Sequence, residues 1–201
     1  MTVIYQKVAL IGLGLIASSM AHAMRAKGLA GQIVGHAKSA ETRAVALEIG
    51  LCDHVYATAA EAVAGADLVV LAVPVGAMAA IAAEIGPHLA AGATVTDVGS
   101  VKQAVIAAVQ PHIPANVHFI PGHPMAGTEY SGPRSGFATL VDNRWWLLTP
   151  AAEVDAKALS RLRDLVQAME LKVVTHTLVP MFHANQLHLQ QRQLITMSLS
   201  V

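Results

Sequence analysis

Very little in this chain of 201 residues is charged, aromatic or able to cross-link. Charged residues make up 13%, the formal net charge is zero, and Lys and Arg are scattered rather than clustered. That excludes the basic footprint of a nucleic-acid binder and the basic patch of a membrane-surface protein. A lone cysteine, Cys52, has no partner for an internal disulfide and fits a reducing cytoplasm, where it is expected as a small buried residue after the helix ending near Gly50. No apolar run is long enough to cross a bilayer, because Gly, Pro, Asp or His interrupts each one. The opening Met-Thr-Val-Ile-Tyr-Gln-Lys has no basic stretch followed by a long apolar one, which predicts no secretion signal. The ten histidines show no spacing that argues for a metal site.

What is present in abundance is Ala, Val and Leu; 54% of the residues are hydrophobic, enough for a large core and too many for a disordered chain. Short apolar runs alternate with Ala-rich amphipathic stretches. Strands are expected at Lys7-Ile11, Gln32-His36, His54-Tyr56, Asp67-Val73, Ala93-Asp97 and His118-Pro121, with helices between them at Leu15-Lys27, Ala40-Ile49, Ala59-Ala64, Gly76-Gly86 and Val101-Gln110. Runs such as Leu68-Val69-Val70-Leu71-Ala72-Val73 suit strands covered on both faces. The alternation predicts an α/β fold, a Rossmann-type doubly wound and mainly parallel sheet with helices on both faces. Gly122 to Asn143 reads as irregular, followed by a strand at Trp145-Leu148, a helix at Asp155-Met169 and a short strand at Leu171-Thr175. Residues 1–175 are therefore expected to form the nucleotide-binding domain. The stretch 176–201 reads as an atypical tail, with no acidic residue and a weak helical pattern from Pro180 onward.

Gly12-Leu13-Gly14-Leu15-Ile16-Ala17 falls where the first strand meets the first helix. The first glycine permits a tight turn, the second lets the backbone approach a pyrophosphate, and the small third position lets helix pack on strand. The helix N-terminus then offers free N–H groups and partial positive charge to phosphates. A purely steric turn is the rival reading; the position at the first strand–helix junction favours a dinucleotide. At the end of the second strand a site for NAD usually carries an acid for the ribose hydroxyl. Here stand Ala37 and Lys38, which lean slightly to the 2′-phosphate of NADP, although Lys38 could be an ordinary solvated residue and His36 merely a strand end.

Three further segments follow later strands: Ala72-Val73-Pro74, Asp97-Val98-Gly99-Ser100-Val101-Lys102, and Gly122-His123-Pro124-Met125-Ala126-Gly127-Thr128-Glu129. In this order, with Asn143-Arg144-Trp145 through Leu148-Thr149-Pro150, residues 6 to 175 resemble the prephenate and arogenate dehydrogenases of tyrosine biosynthesis. The resemblance implies oxidative decarboxylation of a cyclohexadienol, with hydride passing to NAD or NADP. It implies that Val73 and Pro74 lie beneath the nicotinamide ribose. His123 matches the family's catalytic histidine, and a neutral imidazole with an ordinary pKa of about 6.5 suits a proton acceptor. Ser100 matches a serine placed near substrate hydroxyl and nicotinamide, with a rival role as helix N-cap. Thr128 and Glu129 match positions lining the substrate pocket or, alternatively, cap their own loop. Lys102 reads as a solvated residue of the helix's first turn, and Trp145-Trp146 as core and interface.

Members of the family continue into a helical domain that forms a homodimer and closes the pocket. The tail after about Thr175 does not resemble it, which raises the expectation of a truncated or frame-shifted end and of weak turnover. Alternative readings are a non-catalytic dinucleotide-binding remnant or sensor, and another small-substrate dehydrogenase; the catalytic lysine of the 3-hydroxyacid type is not found.

Overall fold

The alternating sides of β1 (Tyr5–Ile11) already divide the molecule in two. In a computed structural model that describes residues 2–177, Val8 and Leu10 point into one core while Ala9 and Ile11 point into another, and all four are fully buried. The chain then runs through α1 (Leu15–Lys27), β2 (Ala30–His36), α2 (Ala40–Glu48), β3 (His54–Tyr56), α3 (Ala59–Val63), β4 (Leu68–Leu71), α4 (Met78–Ile85), β5 (Thr94–Asp97), α5 (Lys102–Val109) and β6 (His118–Phe119). These six strands pair in parallel in the order β3-β2-β1-β4-β5-β6, the order of a doubly wound nucleotide-binding sheet. One face carries Met20 and Met24 of α1; the other carries Val63 of α3, Met78 and Ile85 of α4 and Val105 of α5. Helix starts are marked by local chemistry: Ser39 accepts from Thr42 N–H ahead of α2, and Thr58 and Glu61 form a capping box on α3.

The stretch expected to be irregular contains a strand instead. Pro121 ends the run from His118, so β6 stops at Phe119, and β7 (Gly122–Pro124) leaves the main sheet to pair antiparallel with β8 (Trp145–Leu148). After α6 (Ala156–Ala168), β9 (Lys172–Thr175) pairs in parallel with β8, giving a second, three-stranded sheet. Trp146, Leu148 and α6 residues Leu162, Leu165 and Val166 bury themselves in the same core as Val8 and Leu10. Arg161 fastens α6 to the start of β1, donating to the Ile4 carbonyl and the Asp67 carboxylate and lying over the Tyr5 ring. The weak helix expected from Pro180 lies outside the described residues.

Cys52 is buried, its thiol pushed up to about 12 by desolvation, and its sulfur packs where a side chain on Gly35 would otherwise sit. No helix among the described residues is long and apolar enough to cross a membrane.

Candidate active site

The carboxyl ends of four neighbouring strands are stitched into one edge. Gly12 N–H donates to the His36 carbonyl, Ala72 N–H to Ile11, and Val98 N–H to Leu71. Gly12 takes φ +97°, a conformation that side chains rarely adopt, and a Cβ there would come within 2.5 Å of the Ala72 carbonyl oxygen. The glycine turn thus lies directly against the Ala72-Val73-Pro74 segment at the end of β4. Gly14 is different: its φ is an ordinary −86°, and a Cβ would meet nothing within 4 Å. Open space therefore lies beside the N-terminus of α1, whose first turn carries no acidic side chain. That fits a pyrophosphate, whose close approach needs a missing side chain and free N–H groups. Leu13 faces inward against Gly35, so its backbone alone faces this space, while Leu15 and Ile16 are partly exposed and Ala17 is fully buried under the helix.

At the end of β2, Ala37 is buried and Lys38 exposed. Arg43, which the sequence reading passed over, reaches back from α2 and donates to the carbonyls of Ala37 (2.6 Å) and Lys38 (3.2 Å). A cation reaching back six residues along a helical start is a signal that spacing alone does not single out.

His123 sits in the middle of β7, paired opposite Leu147. Its neighbours Gly122 and Pro124 are buried, and His123 is partly exposed on the other side of the strand. Burial pushes its imidazole below the ordinary histidine range, and the positive charge of Lys102 pushes in the same direction. His123, Pro124, Met125, Ala126, Gly127 and Arg144 line an open cleft of about 390 Å³, a size suited to a small molecule. Arg144 is exposed and makes no ion pair among the described residues. The sequence noted Arg144 within a motif but gave it no role, because its position beside His123 depends on the pairing of β7 with β8.

Two expectations need correction. Lys102 is not solvated: it is 3% exposed and paired with the wholly buried Asp97. Ser100 does not cap α5, which begins at Lys102 with Val101 at the N-cap and no side-chain bond there. The reason is the same in both cases. Asp97 pulls the loop inward by accepting from Gly99 N–H at 2.7 Å, and Lys102 turns in to meet it, leaving Ser100 exposed. Thr128 caps its own loop by accepting from Tyr130 N–H, and neither it nor the exposed Glu129 belongs to the cleft lining.

A family model, the nucleotide-binding domain of prephenate dehydrogenase, matches residues 20–175. The cyclohexadienyl dehydrogenase of Zymomonas mobilis is 40% identical over 161 residues, covering 80% of this chain and 55% of that protein. The prephenate dehydrogenase of Bacillus subtilis is 32% identical, covering 79% of this chain and 43% of that protein. Among solved structures, the prephenate dehydrogenase of A. aeolicus in complex with hydroxyphenyl propionate and NAD+ superposes with a TM-score of 0.78 at 29% identity, over 86% of this chain and 60% of that one. Synechocystis arogenate dehydrogenase gives the same TM-score and coverage at 30% identity. The chain spans about half the length of the curated relatives it matches. With its glycine turn, six-stranded sheet and His123 strand in this order, the chain belongs to the prephenate dehydrogenase nucleotide-binding domain family.

Proposed function

We propose that this chain is the nucleotide-binding part of a dehydrogenase that oxidatively decarboxylates prephenate or arogenate in tyrosine biosynthesis. The observation that carries the reading is the cleft in which His123 and Arg144 stand together, tied through the Gly122 N–H and Asp97 to the end of β5, one of the strand ends that form an edge with the glycine turn. When bound, NAD or NADP supplies the hydride acceptor. The chain's own residues do the rest. Gly12, Gly14 and the N-terminus of α1 hold the pyrophosphate, with the backbone of Leu13, Leu15 and Ile16 and the small Ala17 shaping the turn, and Val73 and Pro74 flank the nicotinamide side. His123, held neutral by its surroundings, accepts the proton of the ring hydroxyl as hydride leaves the same carbon. The electron pair of the bond to the ring carboxylate enters the ring and passes to the ring oxygen as CO2 departs, and that oxygen takes its proton back from His123 to give a phenol. Arg144 pairs with a substrate carboxylate. Ser100, exposed on the loop between β5 and α5, hydrogen-bonds near the substrate hydroxyl, and Thr128 and Glu129 stand outside the cleft lining as an outer rim.

Ala37, Lys38 and Arg43 favour NADP over NAD, since Ala37 stands where a carboxylate would hold the ribose hydroxyl and Lys38 and Arg43 bring two cations beside it, against the single acid Glu41 of the first turn of α2. The working enzyme acts in the cytoplasm and, with a helical domain present, as a homodimer.

The test follows NADH or NADPH absorbance with prephenate, arogenate and simple hydroxyacids, alongside an independent cofactor-binding measurement. Turnover of prephenate or arogenate that falls by at least about a hundredfold in His123→Asn supports the reading. Turnover that survives intact in that variant overturns the assignment of His123. Cofactor binding without any turnover favours a non-catalytic remnant or sensor.

A further inference from the structure

The Asp97–Lys102 pair is the most deeply buried pair of opposite charges among the described residues, with side-chain exposures of 0% and 4%. A pair like this is weak evidence for stability, because removing two charges from water offsets most of their attraction. What sets it apart is what its atoms touch. One carboxylate oxygen of Asp97 accepts from Gly99 N–H and from Lys102; the other accepts from Gly122 N–H at 3.0 Å. The Lys102 ammonium also donates to the Gly122 carbonyl. Both polar groups of Gly122 are therefore gripped, and its carbonyl belongs to the peptide bond that leads into His123. Gly99 is the residue before Ser100. The pair joins the two loops that carry the candidate site residues, and Gly122 has no space for a side chain between Asp97 and Trp146.

We propose that Asp97 and Lys102 are positioning residues, which lock the Ser100 loop and the His123 peptide in one register and keep a fixed positive charge one peptide away from the His123 imidazole. The proposal rests on His123 being the proton acceptor of the reaction proposed above, and it deepens that reading. Burial pushes the Asp97 carboxyl up and the Lys102 ammonium down; their mutual attraction and hydrogen bond oppose both displacements, and the Gly122 and Gly99 N–H groups oppose that of Asp97. The charged groups around His123 are Lys102 on α5, Asp97 at the end of β5 and Arg144 ahead of β8. Of these, Lys102 disfavours the protonated imidazole and adds to the effect of burial. A neutral imidazole then persists to lower pH, where an ordinary histidine is already half protonated.

The experiment titrates the His123 ring by NMR in the full chain, with His123→Asn used to assign its signal. In the unaltered protein the midpoint falls below about 6.5. In Lys102→Met the imidazole binds its proton roughly tenfold more tightly, and the acid limb of kcat/KM moves to higher pH by the same factor. Should Lys102→Met fail to fold, the double variant Asp97→Asn/Lys102→Met is read in its place; the midpoint then rises by less than in the single variant, because the more distant opposing charge of Asp97 is lost as well. A midpoint that stays where it was in a folded variant overturns the proposal. Absence of turnover with a shifted midpoint overturns the dehydrogenase reading and leaves the positioning pair standing.

Discussion

The backbone N–H of Met125 donates to the carbonyl of Trp145 at 2.7 Å. This bond closes the end of the small sheet and brings the segment after His123 beside the turn that carries Arg144, although the two residues are far apart in the chain. An exposed guanidinium with no ion pair among the described residues is available for a carboxylate. Arg144→Gln should raise KM for prephenate or arogenate about tenfold, equivalent to about 1.4 kcal/mol, and change kcat little. Steady-state kinetics at fixed cofactor concentration check this; an unaltered KM removes Arg144 from the substrate site.

The two glycines of the turn should respond in opposite ways. Gly12→Ala places a side chain at φ +97° and against the Ala72 carbonyl, so it should cost roughly 2–4 kcal/mol of stability, read as a lowered midpoint of denaturant unfolding. A Cβ on Gly14 meets no protein atom within 4 Å, so Gly14→Val should cost no more than about 1 kcal/mol, chiefly the loss of a glycine N-cap on α1, while dinucleotide binding falls below detection in calorimetry. Normal binding by a folded Gly14→Val chain would place the pyrophosphate elsewhere.

On the proposed reading, the end of β2 sets cofactor choice. Replacing Lys38 and Arg43 together by Ala should weaken NADP+ about tenfold and leave NAD+ within about twofold, measured as dissociation constants by fluorescence titration. Equal weakening of both cofactors would mean that Arg43 acts only by holding the Ala37 and Lys38 carbonyls in place.

Much of the fold was legible because it follows from periodicity. Short apolar runs such as Leu68-Val69-Val70-Leu71, with β-branched residues and Pro74 soon after, suit covered strands, and Ala-rich helices between them leave a parallel sheet as the packing solution. The glycine turn was legible for the same kind of reason: it stands at the first strand–helix junction, and the position of Gly12 against Ala72 supplies the steric need. The strand at Gly122–Pro124 was not, since its hydrogen-bond partner lies beyond Leu140 and three residues carry no period.

By itself, then, the sequence determined the strand order's raw material, the turn at Gly12 to Ala17, and His123 as the histidine to watch, because each depends on neighbours within a few residues. Only the tertiary structure decided the fate of Lys102 and Ser100. A lysine near a helix start is solvated by default; here a carboxylate five residues earlier and a carbonyl twenty residues later converge on it, and desolvation is tolerable because both partners are present. Arg144 and Arg43 gained roles in the same way, through contacts that pairing and turn geometry create and that linear spacing does not express.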